Sequence, residues 1–295
     1  MSDLLIVGGV FREVLDADTQ PRSRYGGSGL AAAVAAAQLG AATVLAGAVG
    51  ADDEEAVRAL VAAAGVTDAL LTMPGASGTF AFPTRTDERS PWPLYRPAEG
   101  RPGEAPNLPA GKVILAFGIP DYDPVTDGWL RDVASSATIM WDRQGWLSRA
   151  RDARAVVGLA PSRKIYLANA REAAEEADVA EDAAALERQP PEGFSDAIIK
   201  LGADGVAVFG GTTPDVPMAR IAAFPVVVST TIAAGDVFAG AVAARLAAGA
   251  PLVEAAVWGC AAAAVAIESG ENLLDAAAAV RVHELVKERA AGPGS

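Results

Sequence analysis

The residues best suited to chemistry in this chain are Thr231-Ile232-Ala233-Ala234-Gly235-Asp236-Val237-Phe238-Ala239-Gly240. Small side chains let backbone N–H groups approach a ligand closely, and a helix starting there aims partial positive charge at it. That arrangement suits phosphate. A carboxylate in the same place repels phosphate, so Asp236 fits the other half of a transfer reaction: taking a proton from the group that attacks the phosphate. The competing reading is a glycine-rich turn capping an ordinary buried helix.

Four more stretches stand out. Gly26-Gly27-Ser28-Gly29-Leu30-Ala31-Ala32-Ala33, followed by Gln38-Leu39-Gly40-Ala41, opens a small-residue helix, and close helix packing explains it equally well. In Ala46-Gly47-Ala48-Val49-Gly50-Ala51-Asp52, Gly50 ends a strand and Asp52 is placed to cap the next helix. Asn169-Ala170-Arg171-Glu172 has the spacing of a capping box. Lys200-Leu201-Gly202-Ala203-Asp204-Gly205 joins two apolar runs in a hairpin-like element. Its two glycines permit close approach of a ligand, and Lys200 is either a cation for phosphate or a strand-end charge.

In this order the stretches resemble the ribokinase/PfkB-type carbohydrate kinases over nearly the whole chain. The family's second signature, D-T-x-G-A-G-D-x-F-x-G, is matched by Thr230 to Gly240, with Thr230 for the first aspartate and Ala233 for the first glycine. Its first signature, G-G-x-x-x-N, is matched from Gly26, with Ala31 in place of the asparagine. The resemblance implies an ATP-dependent kinase of a small alcohol, with Mg²⁺ and Asp236 as catalytic base. Ala233, Ala234 and Gly235 form the implied anion hole, to which the N–H of Asp236 is added. Lys200, Gly202, Gly205 and Thr231 are implied in nucleotide binding, and Asn169 and Glu172 in organising magnesium and phosphate through water. No direct protein ligand to the metal is assigned. Glu13, near the place of a sugar-binding aspartate, falls with Gly26, Gly27 and Ala31 to the substrate. The stretch Ala255–Glu268 is implied as a wall of the adenine site. Thr230 lacks the carboxylate that the family uses near its cation, so monovalent-cation activation is not carried over. Ala233 adds about 1–2 kcal/mol of strain if its backbone is left-handed.

The elements that must position these residues alternate between strand and helix. Strands are expected at Leu4–Val7, Thr43–Ala48, Val113–Phe117, Thr138–Trp141, Ala155–Gly158, Lys164–Leu167, Ala197–Lys200 and Val206–Phe209. Helices are expected at Gly29–Leu39, Asp53–Ala64, Glu172–Asp178 and Asp236–Ala248. This rhythm predicts an α/β fold with a mostly parallel central sheet flanked by helices, in one domain over residues 1–295. Two segments break it, about 11–25 and 78–106. They read as surface loops or, by the resemblance, as a small β-sheet lid. Alternation in Thr79-Phe80-Ala81-Phe82 predicts a half-exposed antiparallel strand.

The chain has 295 residues and a net charge of −13, which argues against a nucleic-acid surface. Hydrophobic content of 51% against 21% charged residues excludes a disordered chain. Cys260 is the lone cysteine and lies in an apolar helix, so an internal disulfide is excluded and a cytoplasmic setting is expected. With one Cys and one His, His283, any metal should be a hard ion held by oxygen. The charge-free stretch Tyr25–Ala51 reads as a buried helix and strand, not a membrane span. Phe80, Phe82, Trp92 and Tyr95 are placed to stack on a nucleoside, and the lid is a surface through which a homodimer would form. A catalytically silent nucleotide-binding or regulatory protein is the alternative from another class. A dinucleotide-dependent oxidoreductase is disfavoured, because G-x-G-x-x-G does not follow the first strand.

Overall fold

A computed structural model describes residues 3–17, 19–83, 94–103, 106–118, 128–130, 133, 138–144, 154–159, 163–176, 192–210 and 217–292. Its elements in chain order are β1 (Leu4–Val7), β2 (Phe11–Leu15), β3 (Arg22–Gly26), α1 (Ser28–Gln38), β4 (Thr43–Gly50), α2 (Glu54–Ala63), β5 (Thr67–Met73), β6 (Thr79–Ala81) and β7 (Leu94–Arg96). There follow β8 (Val113–Phe117), β9 (Thr138–Asp142), α3 (Arg154–Val157), β10 (Lys164–Asn169), α4 (Ala170–Glu176), β11 (Asp196–Lys200) and β12 (Val206–Gly210). The last are β13 (Ala219–Ile221), α5 (Ala234–Ala247), α6 (Leu252–Ser269) and α7 (Ala276–Ala291).

The larger sheet runs β13-β12-β11-β10-β9-β8-β1-β4-β5. Pairing is parallel from β11 through β5, and β12 and β13 add antiparallel. Both faces are covered, which is why β1 and β8 read as unbroken apolar runs. Leu4 and Ile6 of β1 face the core formed with α1, α5, α6 and α7, whereas Leu5 and Val7 face a second core on the other side. Among the described residues α6 is the helix long and apolar enough to cross a membrane; 61% of it is buried, and it packs between α5 and α7.

The smaller sheet runs β3-β2-β6-β7 and is made by the two segments that break the sequence rhythm. Its aromatic residues face inward. Phe80 lies 4.9 Å from Phe11 and 4.6 Å from Tyr95 between ring centroids, and Phe11 and Phe80 are both in the second core. Two carboxylates fasten this sheet to the body. Asp53, at the start of α2, accepts hydrogen bonds from Arg12 Nε (2.6 Å), the Tyr25 hydroxyl (3.1 Å) and the Ser77 N–H (2.9 Å). Glu13 is the other and borders the site.

Several expectations are corrected. Residues 155–158 were expected as a strand, but Arg154–Val157 is a turn of helix; a short apolar run has no period by which to tell the two apart. The N-cap position before α2 is Asp53, not Asp52, and its side chain is turned to the smaller sheet and makes no capping bond. Strand β6 is antiparallel only to β7 and runs parallel to β2. Strands β5 and β13 were not anticipated: β5 is a partly exposed edge strand with a polar start, and β13 has only three residues. Trp92 and Asp178 lie outside the described residues.

Candidate active site

Strands β9, β10 and β11 are parallel neighbours, so their carboxyl ends, carrying Asp142, Asn169 and Lys200, lie side by side. The start of α5 meets the same edge. Open α/β sheets bind ligands at this edge.

At the start of α5 the backbone turns through Ala233, whose φ of 64° and ψ of −1° place a non-glycine residue in the left-handed region. The Thr230 hydroxyl accepts a bond from the Ile232 N–H at 3.2 Å and supports the turn. Among the described residues the N–H groups of Ala233 and Gly235 have no partner, and that of Ala234 makes only a 3.3 Å contact with the Thr231 carbonyl. The Asp236 N–H is a correction to the expected hole, because it is bonded to the Ala233 carbonyl at 3.0 Å. A Cβ at Gly235 would stand 3.4 Å from Lys200 Nζ, an ordinary contact, so packing does not demand glycine there.

Asp236 is half-buried, and Gln144 Nε2 donates to its Oδ1 at 3.3 Å. Burial, then the charges of Asp142 and Glu13, push the Asp236 carboxyl up to about 7, against the pull of Lys200 and the Gln144 bond. Lys200 Nζ donates to both oxygens of Asp142, at 2.8 and 3.1 Å. Burial pulls the Lys200 ammonium down, but Asp142, Glu172 and Asp236 outweigh it and its pKa lies above the ordinary lysine value. Burial likewise pushes Asp142 up to about 6 in spite of Lys200. At neutral pH the pair is therefore ionic, and Asp236 is poised between its two forms. Asp142 and Gln144 were missed in the sequence, where Asp142-Arg143-Gln144 has no spacing that marks it.

Asn169 and Glu172 do form a capping box at α4. The Asn169 N–H donates to Glu172 Oε2 and the Glu172 N–H to Asn169 Oδ1, both at 2.8 Å. The charge of Glu172 reaches both Asp142 and Lys200. Oxygen donors of this kind suit a hard divalent ion held through water. Among the described residues no group of three His, Cys, Asp or Glu is arranged to hold a metal directly. Gly202 and Gly205 have φ of 60° and 89°. A Cβ at Gly205 would sit 1.9 Å from the Ile221 carbonyl, so its close approach is to β13; Gly202 faces open space. Thr231 is exposed.

On the other side stands Glu13, 4% exposed. Its Oε1 accepts from the Gly27 N–H (3.1 Å), and its Oε2 from Arg24 Nε (2.8 Å) and Asn272 Nδ2 (3.1 Å). Gly26 is needed here, since a Cβ would lie 2.2 Å from Glu13 Oε1. Gly27, with φ of 97°, is the N-cap of α1. Ala31 is fully buried in α1 and offers no surface to a substrate, which corrects its expected role. Asn272, also missed, is 3% exposed and ties the segment after α6 to β2 and β3. Cys260 is remote from nucleophilic use, because burial pushes its thiol up to about 11.

A family model described as "pfkB family carbohydrate kinase" matches residues 5–90 and 131–275. No curated protein matches the chain by sequence at a significant level. Among solved structures, adenosine kinase from Sinorhizobium meliloti superposes with a TM-score of 0.78 at 17% identity, covering 96% of this chain and 99% of that one. Ribokinase from Cryptococcus neoformans var. grubii serotype A, solved with ADP, gives 0.73 at 20% identity over 95% and 99%. Phosphofructokinase-2 from Escherichia coli, solved with fructose-6-phosphate, gives 0.70 at 14% identity over 98% and 100%. The fold is ribokinase-like, with a large mostly parallel sheet, flanking helices and a smaller sheet.

Proposed function

Because the chain belongs to the pfkB family of carbohydrate kinases, phosphotransferases with an alcohol group as acceptor, we propose that it transfers the γ-phosphoryl of ATP to a hydroxyl of a small sugar-like substrate. The observation that carries this reading is Asp236, a carboxyl whose pKa lies near 7 at the start of α5, beside Lys200 and the N–H groups of Ala233 and Gly235, which have no partner among the described residues. Phosphoryl transfer asks for positioning and charge stabilisation more than for covalent chemistry.

In the proposed step Asp236 takes the proton of the acceptor hydroxyl. The hydroxyl oxygen forms a bond to the γ-phosphorus, and the bond from that phosphorus to the bridging oxygen breaks, leaving its electron pair on ADP. The N–H groups of Ala233, Ala234 and Gly235 receive the developing negative charge. Lys200 shifts from Asp142 towards the phosphates, with Gly202, Gly205 and Thr231 lining the nucleotide. Mg²⁺, when bound through water near Asn169 and Glu172, neutralises phosphate charge. Gly26 and Gly27 border the acceptor, and Glu13 shapes that side through Arg24 and Asn272.

The smaller sheet serves as a lid over the acceptor. A sugar-like acceptor is favoured over a nucleoside because Phe80 is spent on the core with Phe11 and Tyr95 and is not free to stack on a base. A homodimer through the lid is proposed as well, with Leu94, 75% exposed on β7, at the contact. We place the protein in the cytoplasm. The test is ADP release from Mg-ATP against a panel of sugars, sugar acids and nucleosides. Stimulation by one sugar-like compound supports the reading, while ATP binding with no stimulation by any acceptor supports a silent homologue.

A further inference from the structure

The hydrogen bond from Gln144 to Asp236 links the end of β9 to the start of α5 across the site, joining residues 92 positions apart. Its donor is an amide, which does not titrate. Among the described residues Asp236 Oδ1 is occupied by this bond and Oδ2 has no hydrogen-bond partner. Resting on the kinase reading above, we propose that Gln144 is a positioning residue: it fixes the Asp236 carboxylate so that Oδ2 alone receives the proton of the acceptor hydroxyl.

The physical reasons are two. A carboxylate on a short side chain turns about its last torsion over a broad, two-fold well, so without a partner its two oxygens exchange places. One donor on Oδ1 breaks that symmetry and leaves Oδ2 as the oxygen with no hydrogen-bond partner among the described residues. An N–H donor also favours the ionised form, the form a base must have. At 3.3 Å the bond is long, as such bonds are before substrate tightens them. The charged groups that act on Asp236 are Asp142 from β9, Glu13 from β2 and Lys200 from β11. Asp142 and Glu13 disfavour its ionisation and Lys200 favours it, so Gln144 is the neutral contributor, and its removal changes no formal charge.

The test uses the full chain and the variants Gln144→Leu and Gln144→Glu. Gln144→Leu should lower kcat with the responsive acceptor about tenfold, leave the KM for Mg-ATP unchanged, and move the pH profile of kcat/KM to the alkaline side. Gln144→Glu, which sets a second carboxylate against Asp236, should move the profile further. A substrate-free readout runs beside it: the difference in unfolding free energy between each background and its Asp236→Asn partner, followed from pH 5 to 9. Its midpoint reports Asp236 in the folded protein and should rise when Gln144 is replaced. An unchanged midpoint and an unchanged profile would overturn the proposal. If wild type phosphorylates nothing, the kinase reading fails by itself, and the substrate-free midpoint still decides the role of Gln144.

Discussion

In the proposed mechanism Asp236 must be an ionised base in surroundings that resist ionisation, and the pH dependence follows from that conflict. Only the ionised form accepts a proton, so kcat/KM should rise through an apparent pKa near 7 and flatten above it, measured between pH 5.5 and 8.5. Stability runs the opposite way. A carboxyl raised in the folded state contributes stability that is complete below its unfolded value near 3.8 and is lost as pH rises through about 7. Asp236→Asn should remove that loss while lowering turnover by about 10²–10⁴-fold with ATP binding retained. Lys200 and Asp142 form a buried pair, 17% and 1% exposed in their side chains, and removing one partner strands the other. Lys200→Met should destabilise by about 3–5 kcal/mol, and adding Asp142→Asn should restore much of it in a double-mutant cycle by chemical denaturation. Ala233→Gly should relieve left-handed strain and stabilise by about 1 kcal/mol, read as a small rise in Tm.

Elements matter here chiefly by what their ends bring together. The strands that deliver Asp142, Asn169 and Lys200 were legible because fully buried parallel strands are unbroken apolar runs: β1 and β8 have the bounds expected, and β9 to β12 differ by a residue or two at their ends. The Asp236 helix was legible from its small residues and closing carboxylate. Other features were invisible for physical reasons. Asp142, Gln144 and Asn272 act through contacts between residues far apart in the chain, and nothing local marks them. Asp53 looks like one more capping acid, yet its oxygens bind the smaller sheet. Burial alone would raise its carboxyl, but the Ser77 N–H, Arg12 and Tyr25 outweigh burial and hold the pKa below the usual value. This contribution is present above the unfolded pKa near 3.8 and is lost as pH falls through the folded value. Asp53→Ala should therefore speed hydrogen exchange in β2, β3 and β6 while leaving β1 and β8 protected. Gly240 serves packing between helices: a Cβ there would stand 2.2 Å from the Ala32 carbonyl, so Gly240→Ala should cost about 1–3 kcal/mol by forcing α1 and α5 apart.

Across the whole molecule, two sheets of unequal size meet at a site where carboxylates outnumber cations. The clasps at Glu13 and Asp53 set how the smaller sheet sits over the larger one. The net charge of −13 is compatible with the proposed ATP binding, because the local donors at α5 and Lys200 would act at short range while distant surface charge is screened. Mg-ATP at a hundredfold excess over its Kd should raise the unfolding free energy by about 2.7 kcal/mol. The central claim is phosphoryl transfer with Asp236 as base. Its most direct measurement is ADP release from Mg-ATP across an acceptor panel, made in parallel on wild type and Asp236→Asn. Acceptor-stimulated ADP release by wild type, lost in Asp236→Asn although ATP still binds, is the predicted result. Equal turnover by both proteins, or ATP binding without release for every acceptor, would contradict it.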